Sequence, residues 1–302
     1  MNDVKPLLKW AGGKRRLLET LFEVFPSKFD LTKNRYFEPF VGGGAVFFGM
    51  ANRLSEVEFS SLRKKQKSIF LGDTNGDLVN FYKVVRDNPQ ELIKKIRLLA
   101  KKTDRNRFYE IRASSPEDKV SRAARFLYLN RLCFNGLYRV NGKGEFNVPY
   151  GRYVNPKIYD PDSIRSCSEW LKFAQITEAP FKDAVVKARK NDLVYFDPPY
   201  IPLSVTASFS DYAKEGFSED DQRELARLIG VLTQRGVWVI LSNSDTRLSR
   251  EIFGEMNLFS VPVGRSISAS GAARKKVREL IATNFPLDLM RNPKLMISSR
   301  VS

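Results

Sequence analysis

The residues best suited to chemistry lie in the stretch LVYFDPPY, from 193 to 200. Its near-continuous apolar run predicts a buried strand. Asp197 comes directly after that strand, and its carboxylate is an anionic hydrogen-bond acceptor. Pro198 and Pro199 hold backbone carbonyls at fixed angles, and Tyr200 adds a flat aromatic surface. These groups could bind a planar amine, because the carboxylate and a proline carbonyl can each accept one N–H while the ring stacks on the base. The plainer interpretation is a stiff turn that ends a strand.

Two further strand ends carry residues suited to a nucleoside. The segment EPFVGGG, starting at Glu38, predicts a glycine loop whose backbone N–H groups can approach a ligand at a helix N-terminus. Asp73 ends the next strand, SIFLGD, where a carboxylate can accept hydrogen bonds from ribose hydroxyls. The interval between them exceeds the usual ~20 residues, and we attribute the excess to a charged surface insertion at 55–67. There is no GxGxxG pattern, so the pair favours one nucleoside over a dinucleotide, although each feature alone also fits an ordinary turn.

The composition narrows the chemistry further. The 302 residues contain no histidine, which excludes histidine-based triads, imidazole general bases and the usual zinc and iron sites. Cys133 and Cys167 cannot form a disulfide framework or a four-cysteine site, so we expect two reduced packing residues and no metal. The formal net charge of +17 favours nucleic acid as the partner, ahead of an anionic membrane surface. No segment approaches the ~20 apolar residues of a membrane-spanning helix, and we expect a cytoplasmic protein.

The elements that must position these residues alternate between strand and helix. In the first third, RYFEPFVGGGAVFFGM and SIFLGDTNGDLVNFYKVV each predict a strand followed by a helix, which favours a parallel sheet. The alternation resumes at DLVYFDPPY, followed by a helix that Ser218 and Asp221 begin with a capping box and that Gly236 ends. VWVILSNS predicts the next buried strand, and LFSVPV and VRELIATN predict two more. The fold class is therefore α/β, a doubly wound and mostly parallel sheet.

The middle of the chain has a different character. From 88 to about 131 the sequence predicts basic helices, one of which should begin with Ser115 as its N-cap and Pro116 in the first helical position. Asn-Gly pairs at 135 and 141, followed by Gly144, predict a hairpin with loops between 134 and 153. We interpret this region as an inserted subdomain.

Taken together, these motifs resemble the DNA adenine N6-methyltransferases of the Dam type, the D12 class. Besides LLKWAGGK, FEPFVGGG and DPPY, the resemblance includes FLYLNRLCFNGLYRVNGKGEFNVPYGRY, PLSVTASFSDY, LSNSDTRLSRE and GRSISASGAARKKV, and so covers nearly the whole chain. It implies a Rossmann-like methyltransferase sheet with an inserted, mainly helical and hairpin, DNA-recognition subdomain. The implied catalytic domain comprises 1–75 and 160–302, and the implied target-recognition subdomain comprises 76–159.

The resemblance also implies roles for individual residues. The catalytic positions are Asp197, Pro198, Pro199 and Tyr200. The positions that bind S-adenosylmethionine are Trp10, Lys14, Glu38, Pro39, Phe40, Gly42, Asp73, Phe181 and Asp197. The positions that contact DNA are Lys9, Phe134, Asn135, Leu137, Arg139, Asn141 and Tyr153, and Arg139 matches an arginine that recognises a guanine of the GATC site. The chain departs from the family pattern at Phe134 and Val140, where tyrosines are expected, and in the longer insertion near 55–67.

The expected activity is methyl transfer from S-adenosylmethionine to adenine N6 in double-stranded GATC sites, by an enzyme that flips the base out of the duplex and acts as a monomer on DNA without a metal. Two alternatives fit the same residues. One is an adenine methyltransferase with another target sequence, and the other is a DNA-binding relative that has lost catalysis. Both a solitary enzyme and one paired with a restriction nuclease are compatible with these motifs.

Overall fold

The computed structural model describes residues 4–10, 12–64, 68–201, 217–263 and 277–287. The segments PLSVTASFSDY and GRSISASGAARKK, both singled out in the sequence, lie outside these ranges. The described strands are β1 (Tyr36–Glu38), β2 (Ile69–Asp73), β3 (Ala174–Glu178), β4 (Leu193–Phe196), β5 (Trp238–Ser244), β6 (Asn257–Val263) and β7 (Val277–Thr283). The described helices are α1 (Leu18–Glu23), α2 (Ala45–Ala51), α3 (Glu56–Lys64), α4 (Gly76–Asp87), α5 (Pro89–Leu99), α6 (Arg105–Ala113), α7 (Lys119–Leu132), α8 (Pro161–Leu171), α9 (Phe181–Ala184), α10 (Glu219–Gln234) and α11 (Arg247–Ile252).

The described strands form one seven-stranded sheet in the order β3-β2-β1-β4-β5-β7-β6. β2 pairs with β3, β1 with β4 and β4 with β5 in parallel, whereas β7 runs antiparallel to both β5 and β6. The sheet is therefore mostly parallel and flanked by helices, which confirms the predicted α/β class. The strand order turns back between β1 and β4, where open α/β sheets bind ligands beyond the carboxyl ends of the strands.

The chain divides into two compact units. The first comprises Met1–Arg15 and Val41–Pro180, and the second comprises Arg16–Phe40 and Phe181–Ser302. In the first unit, Trp170 of α8 packs against Phe47 of α2, with ring centroids 5.5 Å apart, and its Nε1 donates to the Phe47 carbonyl. In the second unit, Leu225, Ile229 and Leu232 form the buried stripe of α10. None of the helices in the described ranges is both long and apolar enough to span a membrane.

Two helix starts show where local rules succeed and where they fail. The capping box of α10 is present, because Ser218 and Asp221 each bond the other's backbone. The prediction for α7 was wrong: the helix begins at Lys119, and its N-cap is Asp118, whose side chain accepts a hydrogen bond from the Ser121 N–H. Ser115 and Pro116 precede it and belong to no helix or strand, because an Asp three residues later offers an equally good cap.

Residues 55–64 of the charged segment predicted at 55–67 are described, and most of them are helical. Residues Glu56–Lys64 form α3, with acidic residues in its first turn and basic residues in its last, as the helix dipole favours. Leu62 is buried, and Phe59 packs against Trp170 with ring centroids 6.2 Å apart. α3 therefore lies mostly at the surface, as predicted, and is attached to the apolar core of the first unit through Phe59 and Leu62.

The start of the β1–β4 pair is fixed by a buried ion pair. Asp192, which is 3% exposed, precedes β4 and accepts hydrogen bonds from the backbone and guanidinium of Arg35 and from the Arg189 N–H. The Leu193 N–H donates to the Arg35 carbonyl at 2.9 Å. These bonds set the register in which Tyr36 faces Leu193, and therefore the positions of Glu38 and Asp197 at the other end of the two strands.

We predict that Asp192→Ala lowers the free energy of unfolding by about 3 kcal/mol or more, because it leaves the Arg35 guanidinium without its buried partner. Urea-induced unfolding measures the change. The matched control is Glu91→Ala, which removes an exposed ion pair with Lys94 and should leave stability nearly unchanged. Equal effects of the two substitutions would contradict the assigned importance of the buried pair.

Candidate functional site

The second unit places Asp197 directly after β4, whose four residues are all buried. The carboxylate is half-buried, and its Oδ1 accepts a hydrogen bond of 2.9 Å from Ser242 Oγ on β5. Ser242 has one hydroxyl proton and gives it to Asp197, so the Tyr195 hydroxyl, 2.8 Å from Ser242 Oγ, is the donor in that second contact. A relay from Tyr195 through Ser242 thus fixes the orientation of the carboxylate.

The residues after Asp197 are held individually. Pro198 is buried, and the carbonyl of the exposed Pro199 accepts a hydrogen bond of 2.9 Å from Gln222 Nε2. The Tyr200 hydroxyl donates to Glu279 Oε2 on β7 at 2.7 Å. Within the described ranges, no residue donates a hydrogen bond to the Pro198 carbonyl. The turn therefore presents one half-buried carboxylate and one backbone acceptor on a rigid frame.

Two carboxylates, the buried Glu38 and the half-buried Asp197, and three neutral phenols determine the electrostatics around this turn. Burial raises the pKa of Tyr36 well above its usual range, and Glu38, which accepts from the Tyr36 hydroxyl at 2.9 Å, raises it further. Burial and the charge of Asp197 do the same to the pKa of Tyr195 and of Tyr200. All three phenols consequently stay protonated and act as donors near neutral pH. Carboxylates at Glu38 and Asp197 suit a ligand that carries or develops positive charge.

An aromatic cluster lies beside the end of β1. Phe40 stacks on Phe181 at the start of α9, with ring centroids 5.6 Å apart and planes 23° from parallel. Phe196 and Phe217 meet Phe40 edge-on. Pro39 and Phe40 follow β1 directly, so two of the residues assigned to a cofactor by resemblance lie between Glu38 and the glycine loop. The cluster offers flat faces of the kind on which an adenine ring stacks.

In the first unit, the glycine loop is packed against Trp10. A Cβ on Gly42 would lie 2.8 Å from Trp10 Cδ1 and Nε1, and one on Gly43 would lie 2.9 Å from Trp10 Cβ. Gly42 and Gly44 also have φ of +46° and +69°, which side-chain-bearing residues rarely adopt. The Tyr82 hydroxyl bonds the Gly42 carbonyl at 2.8 Å. The glycines are thus required by close approach and by backbone conformation together.

Asp73 is joined to that same loop. Its Oδ2 accepts from the Gly42 N–H at 3.1 Å and its Oδ1 from the Asn75 N–H at 2.9 Å. Burial raises the pKa of Asp73, and hydrogen bonds from the Asn75 and Gly42 N–H groups oppose that rise. The helix cap that follows is Asn75, whose side chain accepts from the Leu78 N–H. The structure therefore brings together two features that the sequence presents 31 residues apart.

Lys14 completes the residues of the first unit that the resemblance assigns to a cofactor. Its side chain is 4% exposed, and its Nζ donates to the Gly12 carbonyl at 2.7 Å. An ammonium group held this close to the WAGGK backbone acts as a fixed positive charge in a largely buried position.

The predicted hairpin follows α7. Its two chain segments are joined by two isolated antiparallel β-bridges, one between Cys133 and Tyr150 and one between Val140 and Phe146. Phe134 is 51% exposed, and Asn135 and Gly136 have positive φ angles. Gly136 lies so close to Lys9 that a Cβ would be 2.3 Å from the lysine Cβ.

Lys9 and Tyr153 bring the N-terminal segment to this hairpin. The Lys9 backbone exchanges two hydrogen bonds with the Asn130 side chain, and its ammonium lies 3.9 Å from the centroid of the Tyr153 ring. The N-terminal segment is therefore fixed on the hairpin through residues that the resemblance assigns to DNA.

Arg139 and Asn141 have different surroundings. Arg139 is exposed, and Asn147 Oδ1 accepts from its Nε at 2.7 Å, which orients the guanidinium. The Asn141 side chain closes the turn, since it accepts from the Lys143 and Glu145 N–H groups and donates to the Glu145 carboxylate. Leu137 is half-buried at the base of the hairpin. Arg139 is thus an oriented, solvent-facing cation.

Sequence reasoning missed several residues that organise these sites. Tyr138 stacks on Trp10 with ring centroids 6.0 Å apart, and burial together with Asp77, which accepts its hydroxyl, raises its pKa to about 12. Ser242 and Gln222 were not identified either. The signal for Ser242 was present in VWVILSNS, because a buried apolar strand that ends in three polar residues must find hydrogen-bond partners for them.

Comparison with known proteins identifies the family of the chain. The family model for D12 class N6 adenine-specific DNA methyltransferases matches residues 10–267. The chain is 41% identical over 291 residues to the type II methyltransferase M1.LlaDCHI of Lactococcus lactis subsp. cremoris, covering 94% of this chain and 96% of the relative. It is 38% identical over 298 residues to the type II methyltransferase M.MjaIII of Methanocaldococcus jannaschii, covering 94% and 100%. It is 37% identical over 296 residues to the DNA adenine methylase of Escherichia coli (strain K12), covering 95% and 97%.

The contact between Trp10 and the glycine loop predicts a stability difference between two glycine substitutions. Gly42→Ala should lower the free energy of unfolding by at least about 1 kcal/mol, because an L-residue is strained at this φ and its methyl group would displace Trp10. Gly230→Ala, in the interior of α10 with no atom within 4 Å of the new methyl, should raise it by up to about 1 kcal/mol. Urea-induced unfolding followed by circular dichroism compares the two, and a neutral Gly42→Ala would show that the loop adapts.

Proposed function

The chain belongs to the D12 class N6 adenine-specific DNA methyltransferases, and on that premise we propose that it transfers a methyl group from S-adenosylmethionine to adenine N6 in GATC sites of double-stranded DNA. The observation that carries the proposal is the rigid turn after β4. There, Ser242 fixes the Asp197 carboxylate beside a backbone carbonyl set by two prolines. That pair of acceptors matches the two N–H groups of an exocyclic amine.

The residues present fit S-adenosylmethionine. When bound, this cofactor supplies an electrophilic methyl group on a positively charged sulfur. Carboxylates and stacked aromatic rings suit a cationic nucleoside better than they suit a pyrophosphate, which would repel Glu38 and Asp197. We assign cofactor binding in the first unit to Trp10, Lys14, Gly42 and Asp73, and in the second unit to Glu38, Pro39, Phe40, Phe181 and Asp197.

The chemistry of the target amine follows from the two acceptors. The lone pair of adenine N6 is delocalised into the ring, which makes the nitrogen a poor nucleophile. By each accepting one N–H, Asp197 and the Pro198 carbonyl favour tetrahedral geometry at the nitrogen and localise its lone pair. The Asp197 carboxylate also stabilises the positive charge that develops there. Positioning and electrostatics supply the rate enhancement in this scheme, without a metal.

A base inside a duplex cannot reach Asp197, so the proposed reaction includes flipping of the target adenine, at a cost of a few kcal/mol. Tyr200 is suited to offset part of that cost. Its hydroxyl is tied to Glu279 and its ring is half-buried, which makes the ring a fixed stacking surface rather than a mobile one.

Recognition of the DNA is assigned to residues 76–159. Arg139 is exposed and oriented through its Nε by Asn147, and in the described ranges its two terminal amino groups make no hydrogen bond. A guanidinium in this state can make a bidentate contact to guanine O6 and N7, the commonest specific contact in the major groove. Lys9, Phe134, Asn135, Leu137, Asn141 and Tyr153 are assigned to the same DNA surface, which the enzyme engages as a monomer.

The target sequence is tested by incubating plasmid DNA with the protein and S-adenosylmethionine. The product is then digested with one nuclease that cuts only methylated GATC and another that cuts only unmethylated GATC. Cleavage by the first and protection from the second would support the proposal. Adenine methylation without this pattern would indicate another target sequence, and saturable DNA binding with no methyl transfer would indicate a relative that has lost catalysis.

Asp197→Asn should reduce methyl transfer by at least about 100-fold, because it removes the charge and turns one acceptor into a donor. DNA affinity, measured by gel shift, should remain close to that of the unsubstituted protein. Asp220→Asn, an exposed carboxylate in the first turn of α10, is the matched control and should keep full activity. Normal turnover by Asp197→Asn would eliminate the proposed mechanism.

Arg139→Ala should weaken discrimination at one guanine of the site by ~1–3 kcal/mol, because the bidentate contact is lost. Methylation rates on duplexes altered at one base pair at a time measure this preference. Arg165→Ala, which removes an exposed arginine paired with Asp162 on α8, should leave the preference intact. An unchanged preference in Arg139→Ala would remove Arg139 from the recognition scheme.

A further inference from the structure

Gln222 is a buried amide that the proposed chemistry does not use. It lies in the first turns of α10 and is 1% exposed. Its Nε2 donates to the Pro199 carbonyl at 2.9 Å, and its Oε1 accepts from Asn243 Nδ2 at 3.1 Å. Both ends of the amide are therefore occupied, one by the catalytic turn and one by β5.

The direction of this arrangement is fixed by backbone groups. Asn243 Oδ1 accepts from the Ile201 N–H at 3.2 Å and from the Ser244 N–H at 2.8 Å. Backbone N–H groups can only donate, so the Asn243 oxygen must face them and its NH₂ must face Gln222. Gln222 then has to present its oxygen to Asn243 and its NH₂ to the Pro199 carbonyl. Reversal of either amide would set two donors or two acceptors against each other.

The consequence is that the chain after β4 is fixed at three successive points. Ser242 holds the Asp197 carboxylate, Gln222 holds the Pro199 carbonyl, and Ile201 is bound through its N–H to Asn243 and through its carbonyl to Ser244 Oγ. The proline rings fix φ at 198 and 199. The peptide group between these two prolines, which carries the Pro198 carbonyl, is thus left with little rotational freedom.

We propose that Gln222 and Asn243 form an amide relay that positions the Pro198 carbonyl for the target amine, an inference that rests on the proposed roles of Asp197 and Pro198. Gln222 is a positioning residue in this scheme, because it acts through the peptide groups of the turn. The relay affects the turnover step, since the geometry of the two acceptors matters only when the amine is in place. Binding of S-adenosylmethionine and of DNA depends on it little.

Two substitutions at Gln222 test the relay. Gln222→Met keeps the length of the side chain and removes both polar ends. We expect kcat to fall on the order of 100-fold, as a small misplacement of a reacting group does, while KM for S-adenosylmethionine and the Kd for DNA change no more than a few-fold. Gln234→Met, in the exposed last turn of the same helix, is the matched control and should keep full activity.

Gln222→Glu adds a second measurement, the pH dependence of kcat, which would not change if Gln222 had a purely structural role. A protonated carboxyl can accept from Asn243 and donate to the Pro199 carbonyl, whereas an ionised one sets a negative charge against that carbonyl. Because burial raises the pKa of a carboxyl, protonation should occur within the accessible range of pH. The kcat of Gln222→Glu relative to that of the unsubstituted protein should therefore rise as the pH falls, and Gln234→Glu should show no such rise.

The outcomes separate the relay from the proposed function. A kcat-selective loss in Gln222→Met together with the pH-dependent recovery in Gln222→Glu supports the relay. Full kcat in a Gln222→Met protein of normal melting temperature overturns it, as does a flat relative pH profile in Gln222→Glu. If Gln222→Met does not fold, the pH profile of kcat in Gln222→Glu alone determines whether the relay is supported or overturned. Failure of the unsubstituted protein to methylate adenine would instead count against the proposed function.

Discussion

The polar end of strand β5 constrains the candidate site more than any other feature. Ser242, Asn243 and Ser244 are between 0% and 4% exposed, in a strand whose preceding residues are apolar. Buried polar groups without hydrogen bonds are costly, so these three side chains require partners. The chain that follows β4 supplies one partner for each of them: the Asp197 carboxylate for Ser242, the Ile201 N–H for Asn243 and the Ile201 carbonyl for Ser244. In the described ranges, every buried side-chain nitrogen or oxygen has a hydrogen bond, and at this point the same bonds give the turn at 197–200 its shape.

A second constraint acts in the first unit and is steric. The glycine loop passes so close to Trp10 that side chains at 42 and 43 are excluded, and Asp73 ties the loop to the end of β2. Trp10 also stacks on Tyr138, next to Arg139 in the hairpin. One indole ring thus contacts both the loop assigned to the cofactor and the segment assigned to DNA. Displacement of this ring would therefore disturb both groups of residues.

Much of the fold could be predicted from the sequence, because its signals are local. Apolar runs such as that of β4 identify buried strands, and the Ser218–Asp221 capping box marks a helix start without reference to the rest of the chain. The α7 cap was misassigned because Ser115 and Asp118 are both good caps and only tertiary packing selects between them. The charges of the insertion at 55–67 correctly predict that its described part lies mostly at the surface, but they give no sign that Phe59 and Leu62 attach it to the core.

In the candidate site too, features with a local sequence signal could be predicted and features that depend on distant partners could not. The types of groups at Asp197–Tyr200 indicate their chemistry directly, whereas Gln222 and Asn243 are ordinary amides whose importance depends on partners far along the chain. Their function follows from the directions of hydrogen bonds, and spacing in a sequence does not encode those directions. Asp73 illustrates the point: sequence reasoning treated it as a ligand residue, and the structure adds a bond to Gly42 that no local pattern predicts.

The dependence of the turn at 197–200 on Gln222 and on Ser242–Ser244 bears on how such enzymes can recombine. The tetrapeptide DPPY is not a transferable module, because its geometry is specified by residues on a later helix and a later strand. A chimaera of two relatives joined between residues 201 and 242 would inherit the turn from one parent and part of its support from the other. Within this family, the turn, the start of α10 and the end of β5 should therefore tend to be inherited together. Transfer of the DPPY tetrapeptide alone to an unrelated parallel sheet should reproduce its sequence but not the geometry of the site.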